Sequence, residues 1–184
     1  KTGFNFAKKN VLITFHSETL ALDYGINGLI NLLKELNLYK CNILFTAPNA
    51  DAGSNEIINI IKDYLNKNKN KSYYVPSLGQ DLYLNALILF DFVMGNSSSG
   101  IIEAPLLKKK VLNIGERQKG RFRFGSVIDV SSDRESISKA LNKMFCNFKE
   151  AKLNFKEFKE FHAKMSPSKK IIHHIDRFKT NNQH

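Results

Sequence analysis

The chain has few of the residues and segments that several large classes of protein require. It contains no tryptophan and only two cysteines, Cys41 and Cys146, among 184 residues. Two thiols so far apart provide neither a disulfide framework nor a metal-type spacing, which favours a reducing, cytoplasmic location and predicts two small buried side chains. No apolar run approaches the roughly 20 residues that span a bilayer, and no signal-peptide pattern is present. We therefore expect no membrane partner.

Motifs of the commonest nucleotide-binding and hydrolytic enzymes are missing as well. The sequence contains no P-loop, no G-x-G-x-x-G and no G-x-S-x-G, which argues against the usual NTPases, dehydrogenases and hydrolases. Four histidines lie near the end of the chain: His162, His173, His174 and His184. Adjacent histidines point to different faces of a helix, so we predict no metal site there.

Acidic residues are scarce relative to basic ones, and the imbalance is uneven. The net charge is +11, and residues 101–184 hold 19 basic and 9 acidic groups against 9 and 8 in residues 1–100. Such a surplus is compatible with nucleic acid, with a phosphate-bearing ligand, or with a lysine-rich composition alone. The sequence lacks a recognition-helix motif and the aromatic signatures of RNA-binding domains. We therefore predict no nucleic-acid partner and keep a nucleic-acid module only as an alternative.

Apolar strand-like runs alternate with amphipathic helical patterns along the first 147 residues. Strands are predicted at 11–15, 42–46, 72–75, 90–94, 110–114 and 127–130. Helices are predicted at 23–38, 54–65 with Ser54 as N-cap, 80–87, 100–107 and 133–145. This alternation predicts an α/β fold, a three-layer Rossmann-like parallel sheet of about six strands. We assign 1–147 to this domain and 148–184 to a helical tail that packs on it or on a missing domain.

The segment from Val93 to Pro105 carries the strongest functional signal. It has the pattern of a buried strand, a small polar turn from Asn96 to Gly100, and the start of a helix. Free N–H groups at a helix start, together with the hydroxyls of Ser97 and Ser98, form an anion site. Glu103, one turn into the helix, is placed to accept hydrogen bonds from sugar hydroxyls. The alternatives are a polar helix cap and a first-turn acid that favours the helix dipole.

Other candidates follow neighbouring strands, at the edge where parallel sheets bind ligands. His16 comes directly after the first strand and can donate a proton or a hydrogen bond to a phosphate. Arg117 follows the fifth strand, and a guanidinium matches phosphate oxygens. Asn49 and Asp51, in a tight turn after the second strand, and Arg121 are secondary candidates.

Four motifs, taken in order, resemble a known family. They are Thr14-Phe15-His16, the segment from Pro48 to Ser54, Gly95 to Gly100 with Glu103-Ala104-Pro105, and Asn113 to Arg121. This set resembles the hydrolysing UDP-N-acetylglucosamine 2-epimerases, in particular the NeuC type of the sialic-acid pathway, between about residues 11 and 130. That family has the GT-B arrangement of two Rossmann-like domains. The resemblance covers only the C-terminal one, so we interpret the chain, which begins at Lys1, as part of a longer protein.

The resemblance also implies an activity and roles for residues. UDP is eliminated from a UDP-linked 2-acetamido sugar, and water then adds to the glucal to release N-acetylmannosamine, without a cofactor. His16 would contact the diphosphate and assist its departure, and Arg117 would neutralise its charge. Ser97 and Ser98, with Asn96 and Gly100 in the same turn, would bind phosphate, and Glu103 would hold the ribose. Uracil would lie near Val75.

The resemblance leaves several points open. Ser17 stands where many bacterial relatives carry arginine, so contacts of the first loop are undecided. The carboxylates that move the C2 proton belong to the absent domain, so we expect this chain alone to bind UDP weakly and not to turn over. The parent is expected to be a homo-oligomer. Its sugar is UDP-N-acetylglucosamine or a 2,4-diacetamido sugar, and a GT-B glycosyltransferase donor domain is the alternative function.

Overall fold

Strands and helices alternate strictly in the computed structural model, which describes residues 3–123 and 125–146. The strands are β1 Asn10–Thr14, β2 Asn42–Thr46, β3 Ser72–Val75, β4 Phe92–Gly95, β5 Lys110–Ile114 and β6 Val127–Val130. The helices are α1 Ile26–Leu36, α2 Ser54–Lys67, α3 Gly79–Leu89, α4 Ser98–Leu106 and α5 Arg134–Cys146. The predicted tail at 148–184 and the domain boundary before it lie outside the described residues.

All six strands are parallel and form one sheet in the order β3-β2-β1-β4-β5-β6. The chain runs outward from β1 to β3 and then returns to the other side of β1 to form β4. The carboxyl ends of β1 and β4 therefore lie side by side at the point where the strand order reverses. In open α/β sheets this is where ligands bind.

Helices cover both faces of the sheet, as predicted for three layers. On one face, alternate strand residues such as Ile13 and Phe45 pack against buried apolar residues of α1, α2 and α5. On the other face, Leu12, Leu44 and Val93 pack against α3 and α4. The inner strands β1, β2, β4 and β5 are mostly apolar because both of their faces are buried, whereas the edge strands β3 and β6 are partly exposed.

α2 begins at Ser54 as predicted, but the predicted N-cap is wrong. Gly53, not Ser54, is the N-cap, with a left-handed φ of 81°. The Ser54 hydroxyl donates to the carbonyl oxygen of Asp51 and caps nothing in the helix. A Cβ at position 53 would lie 2.7 Å from Cγ of Tyr24, so both the conformation and the close approach require glycine.

Two further expectations differ in detail. β4 begins at Phe92, two residues later than predicted, since Phe90 is the C-cap of α3. The Asp91 carboxylate between them accepts a hydrogen bond from the Asn10 N–H at 2.8 Å. Cys41 is buried as expected, and burial raises the pKa of its thiol to about 11, but Cys146 is exposed at the end of α5. Among the helices of residues 3–123 and 125–146, none combines the length and apolar character that crossing a bilayer requires.

Candidate functional site

His16 lies directly after β1 and is 8% exposed. Its Nδ1 accepts a hydrogen bond from the main-chain N–H of Asn49 at 3.0 Å. Burial, assisted by the positive charge of Arg117, lowers the pKa of His16 to about 4, and the Asp51 carboxylate acts in the opposite direction. The imidazole is therefore neutral at pH 7, with its proton on Nε2. It can donate a hydrogen bond there without carrying a charge, but it is not poised to donate a proton near neutral pH, as its residue type had suggested.

Asn96 joins the ends of β1 and β4. Its Oδ1 accepts from the His16 N–H at 2.7 Å, and its Nδ2 donates to the His16 carbonyl oxygen at 2.8 Å. Its main-chain N–H donates to the carbonyl oxygen of Thr14. The residue is fully buried, and each of its polar groups already has a protein partner. Asn96 was predicted to bind the ligand directly, but its contacts suit it to orient the loops around the ligand.

The loop after β5 is attached to the same residue. Arg117 Nη1 and Gln118 Nε2 both donate to the carbonyl oxygen of Asn96, at 3.2 and 2.6 Å. Arg117 is partly exposed, and Gln118 is fully buried. Arg117 is thereby held near His16, as its effect on the His16 pKa also indicates.

The turn from Asn96 to Gly100, here called the serine turn, follows a glycine whose conformation and surroundings exclude other residues. Gly95 has a φ of 124°, and a Cβ there would overlap the carbonyl oxygen of Thr14. Ser97 is the N-cap of α4 in extended conformation, and its hydroxyl makes no capping hydrogen bond. Ser97 and Ser98 are partly exposed and stand at a helix start, where main-chain N–H groups lack helical partners. Both serines are thus placed to donate to an anion.

Gly100 is less suited to ligand contact than predicted. It is buried in the first turn of α4, and its N–H donates to the Ser97 carbonyl oxygen at 3.1 Å. A Cβ there would lie 3.4 Å from Cγ1 of Val111. That distance is an ordinary van der Waals contact, so the packing of α4 on the sheet does not by itself require glycine at this position.

Three buried polar atoms near the start of α4 have no hydrogen bond of standard geometry within the described part of the chain. They are Oε2 of Glu103, the hydroxyl of Ser99 and the hydroxyl of Tyr83. They are close together: burial and the Glu103 charge raise the pKa of Tyr83, while the Ser99 and Thr14 hydroxyls act against this rise. Because the Tyr83 and Ser99 hydroxyls interact with each other, Oε2 of Glu103 is the atom of these three that is left without a described partner. Leaving a buried polar group unpaired costs about 1–3 kcal/mol, so this oxygen favours a ligand partner.

Two predicted site residues, Val75 and Arg121, do not lie beside His16, Asn96 and the serine turn. Val75 ends the outermost strand β3, and the register runs from Val75 through Thr46 and Thr14 to Gly95. Three strand spacings of about 4.8 Å place Val75 on the same edge but about 14 Å from β4. Arg121 is exposed, and no described contact links it to His16 or Asn96.

Sequence reasoning missed three residues that border the site: Glu18, Tyr83 and Gln118. Gln118 and Glu18 are each within two residues of a predicted site residue, which was the only available signal. Tyr83 lies on α3, and only the packing of that helix brings its hydroxyl toward α4. Residues 3–123 and 125–146 contain no group of three or more His, Cys, Asp or Glu side chains that could hold a metal ion. The four histidines near the end of the chain lie outside these ranges.

Known proteins resemble this chain in sequence. The profile of a family described as UDP-N-acetylglucosamine 2-epimerase matches residues 2–176. A Campylobacter jejuni protein named GDP/UDP-N,N'-diacetylbacillosamine 2-epimerase (hydrolyzing) is 37% identical over 154 residues, 83% of this chain and 37% of that protein. The polysialic acid biosynthesis protein P7 of Escherichia coli is 36% identical over 137 residues, 73% of this chain and 34% of that protein. The chain thus spans somewhat more than a third of the length of these relatives.

The fold resembles a solved structure from a third organism. The crystal structure of Methanocaldococcus jannaschii UDP-GlcNAc 2-epimerase in complex with UDP-GlcNAc and UDP matches with a TM-score of 0.62 at 18% identity. The match covers 79% of this chain and 41% of that one. The likeness confirms the predicted Rossmann-like α/β sheet, one half of a GT-B arrangement. With residues 2–176 matched by the family profile, the chain belongs to the UDP-N-acetylglucosamine 2-epimerase family.

Proposed function

We propose that this chain is the UDP-binding half of a hydrolysing UDP-sugar 2-epimerase. The observation that carries the proposal is the convergence of His16 and Arg117 on Asn96, directly before the serine turn. A neutral N–H donor, a guanidinium, two hydroxyls and free helix N–H groups then lie at one edge of the sheet. Together they match the oxygens of a diphosphate.

Each part of the nucleotide has a proposed place. His16 Nε2–H and Arg117 donate to the diphosphate, with Ser97 and Ser98 donating to its other oxygens. Glu103, whose Oε2 is buried without a described partner, accepts hydrogen bonds from the ribose hydroxyls. Uracil lies toward the end of β3, near Val75, so the nucleotide extends along the edge of the sheet.

In the parent enzyme, UDP departs as a leaving group. A base in the other domain takes the proton from C2 of the sugar, the C1–C2 double bond forms, and the C1–O bond to UDP breaks. Water then adds its hydroxyl to C1 and a proton to C2, which releases the free 2-epimer. The His16 and Arg117 donors stabilise the charge that develops on the departing diphosphate. This chain supplies the leaving-group side of the reaction.

The sugar is a UDP-linked 2-acetamido sugar. We propose UDP-N-acetylglucosamine in a sialic or related acid pathway, which the resemblance to the NeuC type supports. The Campylobacter jejuni relative favours a 2,4-diacetamido sugar as the second candidate, because its name gives that substrate. A product assay on the parent with each sugar distinguishes the two. Release of free sugar, rather than transfer to an acceptor, distinguishes both from a glycosyltransferase.

The proposal extends to the setting of the parent protein. Its other half is a second Rossmann-like domain, since the relatives are more than twice as long as this chain. Free thiols at Cys41 and Cys146 fit a reducing cytoplasm. A homo-oligomeric parent stays a prediction.

Isothermal titration of the chain with UDP tests the proposal. We expect weak but saturable binding that Arg117→Ala lowers by about tenfold or more, because a charge-assisted hydrogen bond is lost. Glu135→Gln is the control, since this residue lies on the surface of α5, where it pairs with Lys139. Absence of UDP binding by the unaltered chain would contradict the proposal, and release of N-acetylmannosamine by this chain alone would contradict its inactivity.

A further inference from the structure

Glu18 connects three loops at the edge of the sheet. It lies two residues after His16 and is 8% exposed. Its Oε2 accepts a hydrogen bond from the main-chain N–H of Glu116 at 3.3 Å, and its Oε1 accepts one from Asn96 Nδ2 at 3.4 Å. One carboxylate in the loop after β1 therefore contacts the loops after β4 and β5.

Glu18 is held by main-chain hydrogen bonds within its own loop and is approached closely by the main chain of the loop after β5. The Glu18 N–H donates to the carbonyl oxygen of Tyr24 at 3.0 Å, and its own carbonyl accepts from Ala21 at 2.9 Å. Gly115 has a φ of 81°, and a Cβ there would overlap Oε1 of Glu18. The loop after β5 can approach the carboxylate this closely only because residue 115 is glycine.

The contact with Glu116 matters because the next residue is Arg117. Arg117 and Gln118 are held by the Asn96 carbonyl, and Glu18 holds the segment just before them. The same carboxylate contacts the Asn96 amide, which positions the main chain of His16. Glu18 thus links the loop that carries the imidazole to the loop that carries the guanidinium.

We propose that Glu18 is a positioning residue that holds the Arg117 loop so that Arg117 and His16 face one diphosphate. The inference rests on the proposed function, because the ligand it concerns is UDP. Glu18 acts through Glu116 N–H and Asn96, not through the ligand. Removing the Glu18 carboxylate therefore weakens binding of the diphosphate and leaves binding of the uracil and ribose unchanged.

The test compares UDP with uridine, which shares the base and ribose but lacks the diphosphate. In Glu18→Gln the carboxamide oxygen can accept from only one of the two donors, the Glu116 N–H or Asn96 Nδ2. The carboxamide N–H₂ then faces the other donor, so that hydrogen bond is lost. We expect this variant to bind UDP about tenfold more weakly, because a hydrogen bond to a charged group is lost. Uridine affinity, measured by NMR titration, stays unchanged. Glu135→Gln is the control: it makes the same change at a carboxylate on the surface of α5, where it pairs with Lys139, so UDP affinity stays unchanged.

Gly115→Ala disturbs the same junction from the opposite side without removing the carboxylate. We expect this variant also to lose UDP affinity while its uridine affinity stays unchanged. The stoichiometry of the titration reports which fraction of the protein is folded. Equal UDP affinity in Glu18→Gln and the unaltered chain would overturn the inference. So would an equal loss of UDP and uridine, or failure of both variants to fold, because each result would make Glu18 a purely structural residue. If the unaltered chain binds no UDP, the proposed function itself fails, and this inference fails with it.

Discussion

The main-chain N–H of Asn49 donates to Nδ1 of His16 at 3.0 Å, and this bond decides which tautomer of the imidazole is present. Protonation of Nδ1 would place two N–H groups against each other, so the bond opposes the imidazolium form. Burial opposes it as well. Two loops that follow neighbouring strands thereby produce an uncharged donor at the edge of the sheet.

The first prediction concerns stability and pH. The His16 pKa is lowered from 6.5 to about 4 on folding, so the unfolded chain binds more protons between these values. The free energy of unfolding is therefore highest above pH 6.5. It falls as the pH drops toward 4, by up to about 3 kcal/mol. Urea denaturation at pH 7 and pH 4.5 measures it. In His16→Asn, whose carboxamide oxygen replaces Nδ1, the difference between the two pH values should shrink; an unchanged difference would contradict this prediction.

The second prediction separates charge from hydrogen bonding at His16. His16→Gln places an uncharged N–H₂ near the position of Nε2, whereas His16→Asn replaces only Nδ1. We expect Gln to retain most UDP affinity and Asn to lose about tenfold, because only Asn removes the donor. Isothermal titration of both variants provides the measurement. Equal losses in the two variants would contradict the role of Nε2–H as the donor to the diphosphate.

The third prediction concerns Glu103. Glu103→Gln should not lower the free energy of unfolding, because the substituted Oε2 has no described hydrogen-bond partner to lose. UDP affinity should fall, whereas the affinity for 2′,3′-dideoxy-UDP should not, because that analogue lacks the diol. Competition titration of the two nucleotides measures the difference. An equal fall for both would show that Glu103 does not contact the ribose.

The fourth prediction uses two glycines in left-handed or related conformations. Gly95→Ala should destabilise the chain by about 3 kcal/mol or more, because the methyl group would overlap the Thr14 carbonyl oxygen at a φ of 124°. Gly120→Ala is the matched control: its φ is 78°, and no atom lies within 4 Å of an added Cβ. It should cost only about 1 kcal/mol. Urea denaturation compares them, and similar losses would remove the steric argument.

The sequence predicted the parallel sheet because strands buried on both faces are almost continuously apolar and are separated by helices of regular period. It also predicted which loops share an edge, since every parallel strand ends on the same side. Several element ends were displaced by a few residues, as at the start of β4. α2 begins at Ser54 as predicted, but its N-cap is the left-handed Gly53. The need for glycine there depends on a tertiary contact with Tyr24 that no local pattern contains.

The roles within the site were less predictable than its location. Asn96 has the residue type of a ligand contact, but its amide spans to the loop after β1, which lies beside it only because the strand order reverses there. Tyr83 approaches Glu103 through the packing of α3, whose sequence gives no sign of this contact. The roles of these residues therefore depend on contacts between segments that are distant in sequence, and spacing along the chain does not reveal such contacts.

The bond between His16 and Asn96 joins residues 80 positions apart. Closing so long a loop has an entropic cost. The His16 and Arg117 side chains come together only after this loop has closed. A break in the polypeptide between α2 and β3 would therefore leave the His16 imidazole and the Arg117 guanidinium on separate chains.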